Sequence, residues 1–300
     1  MARPTTISNV TDIIGSTGQQ ANRLNRLRAY ASFVKLEHTI FSLPLIFAGA
    51  LLHEHRWPSA RLAGLILFAA VGGRVMAMGL NRLIDAEIDA RNPRTQGREL
   101  PRGVLQRRDA WVIVLCAGFL YLISAAAIAP ICVWLSPIPV ALFVLYPYLK
   151  RFTALAHLGL GLAWSMGPLG GWLATTQSLD RMREVSWLWL FSMLWVTGFD
   201  MIYATMDEAF DRAEGLHSLP AYFGKRQALR IAALLHALAF ASLCLLWLKQ
   251  LHTDISLLWL AVIGALFIWQ HVIAERRPEF AFFQLNGAVG FLVLGLVLTG

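Results

Sequence analysis

Apolar stretches near the length of a membrane crossing follow one another along almost the whole chain. They fall at 36–54, 62–84, 110–129, 131–149, 154–175, 186–206, 228–248, 255–274 and 281–299. A helix needs roughly 20 apolar residues to cross the hydrocarbon core of a bilayer. The expected fold is therefore all-α, a multi-pass membrane bundle of about nine transmembrane helices with short connections. The content of 57% hydrophobic and 15% charged residues agrees with this, since soluble chains carry about 25% charged residues. Residues 1–28 read as a polar basic tail without the apolar core of a signal peptide, and 29–300 as a single transmembrane domain. Pro130 marks a tight turn, and Pro137 and Pro139 are expected to kink the fourth helix.

Positive residues orient the bundle. With the N-terminus in the cytoplasm, 20 of the 26 Lys and Arg fall on the cytoplasmic side. The net charge of +8 thus follows topology, and nothing in it calls for nucleic acid. Cys116, Cys132 and Cys244 lie inside apolar runs, without metal-ligand or disulfide spacing.

Against this apolar background two acidic ladders stand out. Asn81, Asp85 and Asp89 recur at i, i+4 and i+8 where the second stretch ends, so a helix stacks them on one face. Asp200, Tyr203, Asp207 and Asp211 recur at offsets 0, 3, 7 and 11 where the sixth ends. The proposed topology puts both ladders on the cytoplasmic side. Hard carboxylate and amide oxygens so stacked suit Mg²⁺ and the phosphate oxygens it carries. Without cations these carboxylates would repel one another. Two such ladders facing each other fit a diphosphate between two cations. Asn81, Asp85, Asp89, Asp207 and Asp211 are the expected metal ligands.

Arg74 lies within the second stretch, seven residues before Asn81 and on the same helix face. An arginine inside a membrane helix is costly and reads as functional. It pairs with an aspartate or binds a substrate carboxylate. Lys150 and Arg151, ending the fourth stretch, are either topology signals or contacts to diphosphate oxygens. Lys35 and His38, opening the first, carry the same ambiguity. The loops 86–108 and 207–227 are far longer than the other connections and read as lids. Arg94 and Arg98 in the first are candidate substrate contacts. Asn286, a lone amide in the last stretch, is expected to hydrogen-bond between helices.

At these residues the chain resembles the UbiA superfamily of intramembrane aromatic prenyltransferases. The motif Asn-Arg-x-x-Asp-x-x-x-Asp is met at Asn81, Arg82, Asp85 and Asp89. The motif Asp-x-x-Tyr-x-x-x-Asp-x-x-x-Asp is met at Asp200, Tyr203, Asp207 and Asp211. Tyr-x-x-x-Lys-Arg is met at Tyr146, Lys150 and Arg151. The likeness runs over roughly 30–299. Lys35-Leu36-Glu37-His38-Thr39, the loop from Asn92 to Pro101 and Gly215-Leu216-His217-Ser218 resemble the 4-hydroxybenzoate polyprenyltransferase-like branch. The resemblance implies helices around a central cavity open to lipid, Mg²⁺ as cofactor, and a polyprenyl diphosphate and an aromatic acid as substrates. Asp85, Asp89, Asp207, Asp211 and Lys150 are then catalytic, and Asn81, Arg82, Arg74, Lys35, Arg151, Asp200, Tyr203, Arg94 and Arg98 bind substrate. A bacterial inner membrane with a cytoplasmic site is the implied location, with no obligatory protein partner. The acceptor stays open between 4-hydroxybenzoate and a dihydroxynaphthoate of menaquinone synthesis. A secondary anion transporter is the rival class. Charges gathered at one surface, with only Arg74 deep, speak against it.

Overall fold

Helix starts in this chain are written in local chemistry. Ser59 Oγ accepts the backbone N–H of Leu62, Gln106 and Asp109 form a capping box, and Thr253 Oγ1 accepts from Ser256. Each satisfies donors that the first helical turn leaves unpaired. The computed structural model describes residues 29–300, without the side chains of residues 36–41. The basic tail 1–28 and the side chain of His38 lie outside the described residues.

The long helices are α1 (Leu36–Leu51), α2 (Ala60–Arg91), α3 (Arg107–Ile128) and α4 (Pro130–Leu149). After them come α5 (Ala156–Thr176), α6 (Met182–Ala204), α7 (Lys225–Leu251), α8 (Asp254–Ala274) and α9 (Pro278–Leu298). Each coincides with one expected apolar stretch. Among the described residues, seven of them (α2, α3, α4, α6, α7, α8 and α9) have the length and hydropathy for a membrane crossing. The 16-residue α1 and the glycine-rich α5 fall outside that set. Large apolar side chains such as Leu115, Phe119, Ile268 and Val272 are exposed on the outside, where lipid replaces water.

Chain neighbours are mostly neighbours in space, and α9 returns to pack on α1, closing a ring. The largest core cluster joins α1 and α5–α9 through Leu45, Trp172, Phe191, Trp195, Leu243, Ile263 and Val293. In lipid there is little hydrophobic drive between helices, so close backbone approach matters. It is visible where α1 crosses α5. A Cβ on Gly49 would run into the Pro168 carbonyl, and one on Gly171 into the Ile46 carbonyl.

Two details differ from the sequence reading and one matches it. The helix α2 runs on to Arg91, so the first ladder stands on one continuous helix that projects past its apolar part. The fourth helix is interrupted in its hydrogen bonding at Ser136, ahead of Pro137, while Ser136 keeps helical dihedrals, as expected of a proline kink. The second ladder is not continuous. Helix α6 ends at Ala204, Asp207 precedes a separate short helix (Glu208–Ala213), and Asp211 stands on that helix. The turn between them is made by i to i−3 bonds from Thr205, Met206 and Asp207 to Ile202, Tyr203 and Ala204.

Candidate active site

The first ladder reaches a cavity of about 670 Å³ at the ends of α2, α4 and α6. Its wall carries Lys35, Arg74, Asn81, Arg82, Asp85, Asp89, Arg94, Arg98, Lys150, Asp200, Tyr203, Asp207 and Asp211. Every expected site residue but Arg151 is therefore gathered in one chamber. Arg151 turns the other way. Its Nη2 donates to the Ile84 carbonyl at 2.7 Å and its guanidinium stacks on Tyr148, so it braces the end of α2 instead of meeting a phosphate.

Four of the five aspartates in this wall, Asp85, Asp89, Asp200 and Asp207, have a basic partner. Lys150 Nζ is 2.7 Å from Asp85 Oδ2, which also accepts from Asn81 Nδ2 at 3.1 Å. Arg98 Nη1 donates to Asp89 Oδ2 at 2.6 Å. Arg94 forks onto Asp207 through Nε and Nη2, its Nη1 donates to the Tyr203 hydroxyl, and Asn92 Nδ2 adds a bond to Asp207 Oδ1 at 2.9 Å. His157 Nδ1 lies 2.7 Å from Asp200 Oδ2, while its Nε2 accepts the Leu219 N–H at 3.5 Å, so Nδ1 carries the proton and donates it. The two expected lids clasp each other through Asn92 and Arg94 to Asp207 and through Arg91 to Glu214 at 2.8 Å.

Asp211 lies outside the spanning segments. Burial pushes its carboxyl up to about 6, a hydrogen bond from Ser218 partly opposes this, and the nearby Asp207 adds to it. That is the state of a carboxylate short of a cation. Asp85 tells a similar story by geometry: it is 3% exposed, and its Oδ1 has no hydrogen-bond partner among the described residues. No three acidic, His or Cys groups among the described residues converge tightly enough to hold a metal alone. Mg²⁺ does not require that. It typically takes one or two carboxylates, keeps waters and shares substrate phosphates. The hard oxygens of Asn81, Asp85 and Asp89 on one wall and of Asp207 and Asp211 on the other fit that habit.

Below lies a second cavity of about 600 Å³, walled by apolar side chains such as Leu45, Ile66, Phe143, Leu173 and Val185. Arg74, Tyr146, Leu160 and Trp164 line both chambers. Arg74 stacks over Trp164 at 5.3 Å, and its buried Nε has no hydrogen-bond partner among the described residues. No aspartate pairs with it among the described residues. The sequence reading missed His157, Asn92 and the aromatic residues Trp164, Phe199 and Phe282 of this wall. A histidine inside an apolar run was the available signal for the first; Asn92 carries none, because it acts only through the fold of its loop.

A charged chamber at one face meets an apolar chamber among the spanning helices, a shape that suits a ligand with an anionic head and an apolar body. The chain belongs to the UbiA prenyltransferase family, whose model matches residues 42–293. It is an integral membrane prenyltransferase. It is 33% identical to the 4-hydroxybenzoate octaprenyltransferase of Legionella pneumophila strain Corby, over 90% of this chain and 98% of that protein. Identity to the enzyme of the same name from Vibrio atlanticus is 29%, over 93% and 96%. The apo structure of a UbiA homologue from Aeropyrum pernix K1 is 36% identical, covers 86% of this chain and 95% of that one, and superposes with a TM-score of 0.80. A UbiA homologue from Archaeoglobus fulgidus, bound to GPP and Mg²⁺, shares the fold at TM-score 0.70 and 19% identity, over 90% and 99%.

Proposed function

We propose that the protein transfers a polyprenyl group from its diphosphate to 4-hydroxybenzoate, in quinone synthesis at the cytoplasmic face of a bacterial inner membrane. One observation carries the reading. Arg74, mid-span on α2 and without an acidic partner among the described residues, stands at the junction of the two chambers, where a donor's diphosphate would lie to one side and its chain to the other. A carboxylate-bearing aromatic acceptor is the ligand that such a cation selects. The names of the relatives support the same acceptor.

Mg²⁺ would be held by Asn81, Asp85 and Asp89 on one wall and by Asp207 and Asp211 on the other. Bound there, it would neutralise the charge of the diphosphate and of the acidic walls. The chain's own residues do the rest. Lys150 sits beside Asp85, positioned to donate to the leaving diphosphate, and Arg82, 5% exposed on the same wall, faces the Glu99 carboxylate at 3.9 Å through an Nη1 that makes no hydrogen bond among the described residues. Arg94 and Arg98 hold Asp207 and Asp89 and exchange those partners for phosphate oxygens when the donor enters. Arg74 orients the acceptor so that the carbon beside its hydroxyl faces the donor. Asp200, held by His157, receives the proton that the ring loses on alkylation. The apolar chamber holds the polyprenyl chain and keeps water from the reacting carbon.

Purified protein in detergent, given a polyprenyl diphosphate, Mg²⁺ and one acceptor at a time, tests this by product mass. The expected result is product with 4-hydroxybenzoate, lost on addition of EDTA. Product with a dihydroxynaphthoate alone would transfer the enzyme to menaquinone synthesis and overturn the acceptor assignment.

A further inference from the structure

The wall of the charged chamber holds an unbroken run of aromatic rings. Trp164 meets Phe199 edge to face at 5.9 Å, Phe199 meets Phe282 at 5.3 Å, and Phe282 meets Tyr203 at 4.3 Å between centroids. At one end the run carries the Arg74 guanidinium over Trp164. At the other it carries Arg94 over Tyr203 at 4.5 Å. Both ends of the wall thus already hold cations against ring faces, in the geometry by which a ring quadrupole attracts positive charge. Phe199 and Phe282, between them, face the same cavity and carry none.

The backbone is built to present this wall. On α6 the rings come from an i, i+4 stripe, Phe191, Trp195, Phe199 and Tyr203. On α9 they come from a π-helical segment, Ala281–Leu285, which lets the consecutive Phe282 and Phe283 both reach the chamber. Such widened turns leave carbonyls to satisfy, a serious cost within a membrane, and recur at functional sites. Here side-chain amides satisfy them. Gln270 Nε2 donates to the Ala281 carbonyl at 2.9 Å and to Asn286 Oδ1 at 3.1 Å. Asn286 Nδ2 donates to the Phe282 carbonyl at 2.8 Å, and Trp195 Nε1 donates to Asn286 Oδ1 at 2.9 Å. Both amides are buried, Gln270 at 1% and Asn286 at 6% exposure.

We propose that Phe199, Tyr203 and Phe282 are catalytic residues whose ring faces stabilise the positive charge that develops on the prenyl carbon during transfer. The C–O bond to diphosphate breaks and its electron pair leaves with the diphosphate. The resulting allylic charge rests against the rings until the acceptor carbon supplies the pair for the new C–C bond, and the ring proton then departs to a base. The inference rests on the prenyl transfer proposed above at the same site.

The test is a cation mimic. An N,N-dimethyl prenyl ammonium, offered with inorganic diphosphate and Mg²⁺, is compared by calorimetry with its uncharged carbon isostere. Wild-type protein is expected to favour the ammonium by about 10- to 30-fold, the scale of a desolvated cation–ring contact. Phe282→Leu, which keeps an apolar side chain without a ring, is expected to lose most of that preference and to lower kcat by a similar factor with little change in KM. Phe282→Tyr is expected to keep both. Equal affinity of wild-type protein for the two ligands overturns the proposal without recourse to any variant. So does a folded Phe282→Leu or Phe199→Leu protein that retains the preference. Failure of the prenyl-transfer reading is seen separately, as absence of any prenylated product from wild-type protein.

Discussion

The two chambers are of similar volume and opposite construction. In the charged chamber almost every group is matched: Asp85 to Lys150, Asp89 to Arg98, Asp207 to Arg94, Asp200 to His157. In the apolar chamber the wall is ready-made, and among the described residues its only charged side chain is Arg74, at its mouth. The difference teaches how a membrane protein can keep charge and still bind charged substrates. Unpaired ions near lipid are expensive, so the charged chamber closes on itself, and under the proposed function it would bind by exchange of partners. The apolar chamber binds by being filled. Each can then be broken without the other.

The largest effect is expected in the charged chamber. Asp85→Asn should lower kcat/KM by about 10³-fold, the scale of losing one preorganised charge interaction in a closed site. Binding of an uncharged prenyl alcohol, measured by calorimetry, should be unchanged. Asp200→Asn should lower kcat by about 10²-fold, the contribution of a positioned proton acceptor. The donor KM, from initial rates, should hardly move.

In the apolar chamber the expected effect is on selectivity. A Cβ on Gly170 meets nothing within 4 Å, and the residue lines the cavity. Gly170→Leu should turn the enzyme toward short donors by about tenfold, read as the ratio of kcat/KM for geranyl and long-chain diphosphates in one assay. The smallest effect concerns Asp211. Its carboxyl is raised to about 6 by burial, above its ordinary value near 3.8. The folded protein therefore holds that proton more tightly than the unfolded chain. Stability of the metal-free protein should fall as pH rises from about 4 to 6 through this group. Thermal melting in EDTA should show a shallower decline over that range for Asp211→Asn, and added Mg²⁺ should restore wild-type stability at pH 7.

Hydropathy and charge placement made the helices legible, because each crossing must be apolar over its whole length whatever its neighbours do. The first ladder was legible for the same reason, since α2 continues without a break beyond the membrane. The second was only half legible. Its spacing suits a helix, but Thr205 and Met206 turn, and Asp207 is drawn toward Asn92 and Arg94, partners more than a hundred residues away. Arg151 stands beside Lys150 in sequence, but its guanidinium goes to the Ile84 carbonyl and the Tyr148 ring rather than into the chamber, so adjacency misplaced it. His157 and Phe282 had no spacing to betray them; a π-helical turn moves Phe282 to a face that α-helical counting does not predict.

Under the proposed function Arg74, at the junction, reads the carboxylate of the acceptor while the chambers on either side read the donor. The most direct test compares 4-hydroxybenzoate with phenol as acceptors, for wild-type protein and Arg74→Ala, at fixed donor. Wild-type kcat/KM should favour 4-hydroxybenzoate by about 100-fold, a charge-assisted pair in a dry site. Arg74→Ala should reduce that preference to a few-fold and leave the donor KM unchanged. An Arg74→Ala enzyme that keeps the preference while its donor KM rises would place the arginine with the diphosphate and contradict the account.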